Sequence, residues 1–158
     1  MLIQITNKCH EGCAHCMHCS NPNGEHMSET TFKNALRFGQ FLGASAYIIT
    51  GGEPTEHPKF TEFCQYLDRF VKQSKTPGGF TVTSNGTWFP ERTEEMIKLA
   101  KLQSYVGMQV YTNSKWYKDA SFIIEHSKEL SAIPKIILTT DEIRTCVEPK
   151  QMSRLRKK

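Results

Sequence analysis

Apolar positions along the chain switch between the period of a strand and that of a helix. Leu2–Thr6 is a short β-leaning run. Ser28 is suited to cap a helix, and Phe32, Ala35, Leu36, Gly39 and Leu42 then recur on one helical face. Ala46–Thr50 (Ala-Tyr-Ile-Ile-Thr) has the pattern of a buried strand stopped by Gly51-Gly52. Pro58 suits the first turn of a second helix, along which Phe60, Phe63, Cys64, Leu67 and Val71 fall at helical spacing. Phe80–Ser84 predicts a third strand, closed by the turn Asn85-Gly86. Pro90 opens a third helix carrying Met96, Ile97 and Ala100. Val106–Tyr111 predicts a fourth strand. A fourth helix follows, with Trp116, Ala120, Ile123, Ile124 and Ser127 on one side, and Ile136–Thr140 predicts a fifth strand.

Strands alternating with helices imply parallel βα units joined by right-handed crossovers, an α/β class. Such units close toward a barrel or spread into a doubly wound sheet. Both architectures collect function at the carboxyl ends of the strands. The unusual loops of this chain fall there: a cysteine-rich loop after strand one, Gly-Gly-Glu-Pro after strand two and Ser-Asn-Gly after strand three.

Length and charge add little to this picture. The 158 residues predict one core domain over 1–140, and 141–158 as a basic helix or the start of a sixth βα unit. The net charge is +4, with six basic residues in the last fifteen (Arg144, Lys150, Arg154, Arg156, Lys157, Lys158). That end reads as a solvated helix or tail more readily than as a nucleic-acid surface. No apolar run approaches the ~18 residues that cross a bilayer, and the N-terminus lacks the pattern of a signal peptide. The expectation is a cytoplasmic protein with no membrane partner.

Four of the six cysteines lie between Cys9 and Cys19. A disulfide framework would spread its cysteines to close loops across the chain. Tight clustering in a reducing compartment points to metal or redox chemistry. Cys9, Cys13 and Cys16 form C-x₃-C-x₂-C, and Cys19 adds one more C-x₂-C step. Thiolates spaced this closely can wrap an iron–sulfur cube. A zinc site usually adds a distant second pair of ligands, and His10, His15, His18 and His26 leave zinc open as the lesser alternative. A fourth ligand at Cys19 would close the cluster for electron transfer, whereas three ligands leave one iron open to a substrate or cofactor. Cys64 and Cys146 stand alone and read as buried small apolar groups.

C-x₃-C-x₂-C just after a first strand, followed about 35 residues later by Gly51-Gly52-Glu53-Pro54 after a second strand, resembles the radical S-adenosylmethionine (radical SAM) superfamily. The resemblance implies a partial (β/α)₆ barrel, here ending after the fifth strand. It implies a [4Fe–4S] cluster on Cys9, Cys13 and Cys16, with the methionyl group of S-adenosylmethionine on the fourth iron and Cys19 a bystander. His15 holds the place where relatives carry an aromatic residue near the cofactor. Gly51, Gly52, Glu53 and Pro54 would bind the amino group of S-adenosylmethionine. Alone, that segment reads as a tight turn, in which two glycines allow positive φ and close approach of the backbone. Ser84 and Asn85 match a polar turn of the family, weighed equally against an ordinary Asn-Gly turn. Gln109 is the match to a residue set against the cofactor's ribose or carboxylate, although the more familiar serine-then-aspartate pair is absent.

By the same resemblance, a flavodoxin- or ferredoxin-like protein supplies one electron, and a 5′-deoxyadenosyl radical abstracts hydrogen from a peptide, protein or small molecule. The chain is then either part of a longer enzyme or a short member similar to the activases of glycyl-radical enzymes. A closed-cluster electron carrier is the competing reading. Trp88, Trp116 and Tyr117 read as packing residues more readily than as substrate contacts, and His57 and His126 receive no role.

Overall fold

The computed structural model describes residues 1–13, 16, 18–74, 77–112 and 117–139. Strands β1 (Leu2–Gln4), β2 (Ala46–Thr50), β3 (Gly79–Ser84), β4 (Tyr105–Tyr111) and β5 (Ile136–Thr139) alternate with helices. These are α1 (Glu29–Phe41), α2 (Phe60–Gln73), α3 (Thr93–Leu99) and the short pair α4 (Ala120–Glu125) and α5 (Ser127–Ala132). All pairings are parallel and the strands lie in the order β1-β2-β3-β4-β5. Each new strand is added on the same side, which is barrel winding; a doubly wound sheet reverses its order at a switch point. The fold is an arc of a barrel. The expected C-terminal helix or sixth unit, and Cys146, lie outside the described residues.

The pleat sends alternate residues to opposite faces. Ile3, Tyr47, Ile49, Phe80, Val82, Met108 and Val110 are buried beneath the helices. Phe32 of α1 stacks on Phe63 of α2 at 4.1 Å to lock the first two helices together. The opposite face carries Leu2, Ile48 and Thr81 in one row and Thr83, Gln109 and Ile137 in the next. It stays open, with Leu2 and Ile137 more than half exposed.

Several boundaries differ from the sequence pattern, each for a local reason. Ser28 does cap α1, accepting the Thr31 N–H at 3.1 Å, but Leu42 is the C-cap and is exposed. Pro58 stands outside α2, whose N-cap is Lys59; the proline in a helical first turn is Pro54, heading a 3₁₀ turn over Pro54–Glu56. Pro90 follows a cis bond in a turn, and α3 begins at Thr93. The single helix expected before β5 breaks at His126, whose Nδ1 bonds the Phe122 carbonyl oxygen at 2.9 Å while its ring packs on Phe122. Val106 is an extra residue in the β3–β4 register, bulged out and 65% exposed.

Asp68 on α2 is a buried carboxylate that periodicity does not flag. It accepts the Ser104 N–H at 2.7 Å and pairs with Lys72 at 2.7 Å, tying α2 to the start of β4. Burial pushes its pKa up, but Lys72 and Ser104 outweigh that and hold it below the usual carboxylate value. A carboxyl lowered on folding contributes stability above its unfolded pKa of about 4 and loses it as pH falls through the folded value. Asp68→Ala strands a buried N–H, so urea unfolding at neutral pH is expected to show a loss of about 1–3 kcal/mol. The gap between variant and parent should narrow below about pH 4; a gap that stays constant with pH contradicts the assignment.

Candidate functional site

The cysteine loop leaves the carboxyl end of β1 and is held shut by its own backbone. Cys9 N–H donates to the Asn21 carbonyl oxygen at 3.0 Å, Asn21 N–H to Asn7 at 3.2 Å, and Met27 N–H to Ile5 at 2.8 Å. The Ser20 hydroxyl donates to Asn7 Oδ1 at 2.9 Å. Gly12 turns the chain with φ of 58°, between the first and second cysteines of the run. Two carboxylates pin the loop to its neighbours. Glu11 accepts the Lys118 N–H at 2.7 Å, and Glu56 accepts the His10 N–H at 3.1 Å with the His10 ring 2.7 Å from its other oxygen.

The β2 loop lies against this one. Gly52 N–H donates to the Thr6 carbonyl oxygen and Glu53 N–H to that of Lys8, both at 2.8 Å. A Cβ on Gly52 would sit 2.2 Å from the Lys8 oxygen and 2.9 Å from Cys9 Cβ; one on Gly51 would sit 2.9 Å from Thr6. Close approach is therefore what the two glycines permit, and the contact they make is with the cysteine loop. Neither adopts the positive φ that the sequence pattern suggested.

Glu53 is fully buried and faces the β3 loop. Its Oε1 accepts from the Thr55 N–H (3.1 Å) and hydroxyl (2.7 Å), its Oε2 from the Asn85 N–H (2.8 Å), and the Ser84 hydroxyl reaches both oxygens at 3.0 and 3.1 Å. Burial raises its pKa against the pull of these donors, none of which is a cation. Ser84 Oγ in turn accepts the Gly86 N–H and the Trp88 indole N–H.

The loops after β1, β2, β3 and β4 enclose a cavity of about 280 Å³, lined by Cys9, Cys13, Cys16, Gly51, Gly52, Ser84, Asn85, Tyr111 and Tyr117 among others. The three thiols are free. Burial pushes the Cys9 thiol up to about 11, aided by Glu53 and Glu56 and opposed by the Glu11 N–H. Cys13 is also raised by burial. Cys16 is lowered, because N–H groups of Ser20, His18 and Cys19 together outweigh its burial. Cys19 is exposed and is not part of the cavity lining.

Residues 3–121 match the sequence model of the Radical SAM superfamily. The chain belongs to that superfamily of enzymes. It is 27% identical over 111 residues to the antilisterial bacteriocin subtilosin biosynthesis protein AlbA of Bacillus subtilis (strain 168), a match covering 68% of this chain and 23% of that protein. It is 33% identical over 125 residues to a protein of Methanocaldococcus jannaschii named as a glycyl-radical enzyme activating enzyme, covering 77% of this chain and 49% of that protein. The chain thus spans about a quarter and about half of the lengths of these two relatives.

Of the positions singled out by the radical SAM pattern, Cys9, Cys13, Cys16, Gly51, Gly52, Ser84 and Asn85 meet around the cavity. Glu53 and Pro54 are buried and are not lining residues. Gln109 lies on the open sheet face and accepts from the Tyr111 hydroxyl at 3.0 Å; it is Tyr111 that lines the cavity. His15 and Trp116 lie outside the described residues. Trp88 packs in the core as expected, whereas Tyr117, read as a packing residue, lines the cavity with its hydroxyl pushed up to about 12 by burial. The lining also includes Glu11, Gly12, His18, Ser20, Thr50, Thr83 and Tyr111, which had not been singled out as cofactor contacts. Thr50, Thr83 and Tyr111 stand at or next to strand carboxyl ends, so the rule that placed the loops had marked them too. His57 is buried between the Met27 carbonyl oxygen and the Lys59 N–H, a structural role. Among the described residues no helix is long and apolar enough to cross a membrane.

Proposed function

We propose that this chain is the catalytic core of an enzyme that reductively cleaves S-adenosylmethionine and acts on a peptide or protein. The observation that carries the reading is the convergence of three thiols from the β1 loop, Gly51-Gly52 from the β2 loop and Ser84-Asn85 from the β3 loop on one cavity.

The donor set fits a [4Fe–4S] cluster on Cys9, Cys13 and Cys16. Soft thiolates in one short loop suit iron–sulfur chemistry. In a cubane each thiolate takes its own iron, which suits three thiols spread along one loop. A cluster held by these three thiolates would supply one-electron reduction of S-adenosylmethionine at its sulfonium, the chemistry that yields methionine and a hydrogen-abstracting radical.

The chain's own residues bind and orient. The Gly51-Gly52 backbone meets the amino-acid end of the ligand, and the Ser84-Asn85 turn, whose polar groups are taken up by Glu53, Thr87 and Cys9, shapes the adjoining wall. Glu53 contributes through its charge: a buried carboxylate accepting from no cation, set behind the cavity-lining Ser84 and Asn85, favours an ammonium or sulfonium group in the cavity. Pro54 fixes the turn that keeps Glu53 in place. Gln109 acts through Tyr111, whose hydroxyl it holds, and Tyr117 and Glu11 close the side where the β4 loop meets the cysteine loop. The raised Cys9 thiol must shed its proton as metal binds. A flavodoxin- or ferredoxin-like protein supplies the electron. The names of the two relatives, a bacteriocin biosynthesis protein and an activating enzyme, support a peptide or protein substrate.

The exposed position of Cys19, away from the cavity, favours three ligands over the closed cluster of an electron carrier. After anaerobic reconstitution, Cys19→Ser is expected to keep the parent's iron and sulfide content. Cys13→Ala should lose most of both. The reverse result would replace this reading with the electron carrier.

A further inference from the structure

We infer that Asn85 sets the reduction potential of the cluster by donating its side-chain amide to the Cys9 sulfur, an inference that rests on the cluster reading above. Asn85 Nδ2 lies 3.7 Å from Cys9 Sγ, and both residues are only 8% exposed. The amide has no freedom to turn away. Its Oδ1 accepts both the Thr87 N–H at 3.0 Å and the Thr87 hydroxyl at 2.8 Å, so the NH₂ end is the one that faces the sulfur. The backbone is pinned as well, since Asn85 N–H donates to Glu53 Oε2 at 2.8 Å. Asn85 therefore joins the carboxylate of the β2 loop to the first cysteine of the β1 loop.

The consequence follows from charge. Adding one electron to a cubane increases the negative charge on its sulfurs, with no bond broken and no proton moved. A donor aimed at a ligand sulfur stabilises the reduced form more than the oxidised one and raises the potential. Cys9 is buried whereas Cys13 and Cys16 are half-buried, so the effect is concentrated where water screens least. Asn85 is thus a positioning and tuning residue, a role distinct from the turn and the cofactor contact that its motif suggested.

The test is an anaerobic redox titration of the reconstituted protein with dithionite, following the reduced cluster by its paramagnetic signal. Asn85→Asp keeps the side-chain shape and still accepts from Thr87, but turns an oxygen toward the sulfur. It is expected to load fully, with the ratio of reduced to oxidised cluster at the parent's midpoint lowered about ten-fold, equivalent to ~59 mV for a one-electron couple. Asn85→Ala should move the same way by less. Parent-like midpoints in both loaded variants would overturn the inference. So would loss of the cluster from both, which would make Asn85 a requirement of assembly and not a setting of potential. A parent protein that takes up no cluster would instead defeat the underlying functional reading.

Discussion

Glu53→Ala is expected to lower the unfolding free energy by about 3–5 kcal/mol, a large share of the ~5–15 kcal/mol that holds a domain together. The buried carboxylate satisfies two backbone N–H groups, of Thr55 and Asn85, and two hydroxyls, of Thr55 and Ser84. Truncation strands the N–H groups, which cannot be re-aimed, at about 1–3 kcal/mol each, and leaves a cavity besides. Glu53→Gln keeps the shape but sets an NH₂ against a donor. It should cost less, because the buried charge, whose burial raises its own pKa, is removed at the same time. Urea titration with an unchanged denaturant slope reads both values. A loss under about 1 kcal/mol for Glu53→Ala would mean that this carboxylate does not hold the β2 and β3 loops together.

Gly52→Ala strikes the same region from the other side. A methyl group there would meet the Lys8 carbonyl oxygen at 2.2 Å and Cys9 Cβ at 2.9 Å, so the two loops must part. Forced overpacking of this kind costs about 1–3 kcal/mol or more. The larger expected effect is on the cluster, because displacing a ligand's support typically weakens metal sites about 10–100-fold. Iron content after reconstitution and desalting is the measurement. Parent-like iron in Gly52→Ala would show that the glycine serves only the turn.

Both residues were visible in the sequence, yet neither role was. Gly-Gly after an apolar strand marks a close approach, but only the fold reveals that Thr6, Lys8 and Cys9 are what comes close. A carboxylate beside those glycines reads as a ligand contact; its inward aim depends on Ser84 and Asn85, more than thirty residues away in the chain. Local pattern did anticipate all five strands, because each is a short apolar or alternating run bounded by turn residues. Strand order lies beyond periodicity, since both barrel and doubly wound sheets share the same βα rhythm. Of the helix boundaries that moved, α2 and α3 start beyond their prolines, with Lys59 and Arg92 as N-caps and no side-chain cap, and the break at His126 rests on its bond to the Phe122 carbonyl oxygen. Tyr111 was passed over in favour of Gln109 two residues earlier, although the two side chains meet and the tyrosine is the one at the strand's end.

The central claim is that Cys9, Cys13 and Cys16 form the heart of a site that cleaves S-adenosylmethionine. Anaerobically reconstituted protein, mixed with dithionite and S-adenosylmethionine, tests it by chromatography of the products. The parent should release 5′-deoxyadenosine and methionine, and Cys13→Ala should release neither. A fully loaded parent that leaves S-adenosylmethionine intact, or a Cys13→Ala protein that cleaves it as well as the parent, would contradict the account.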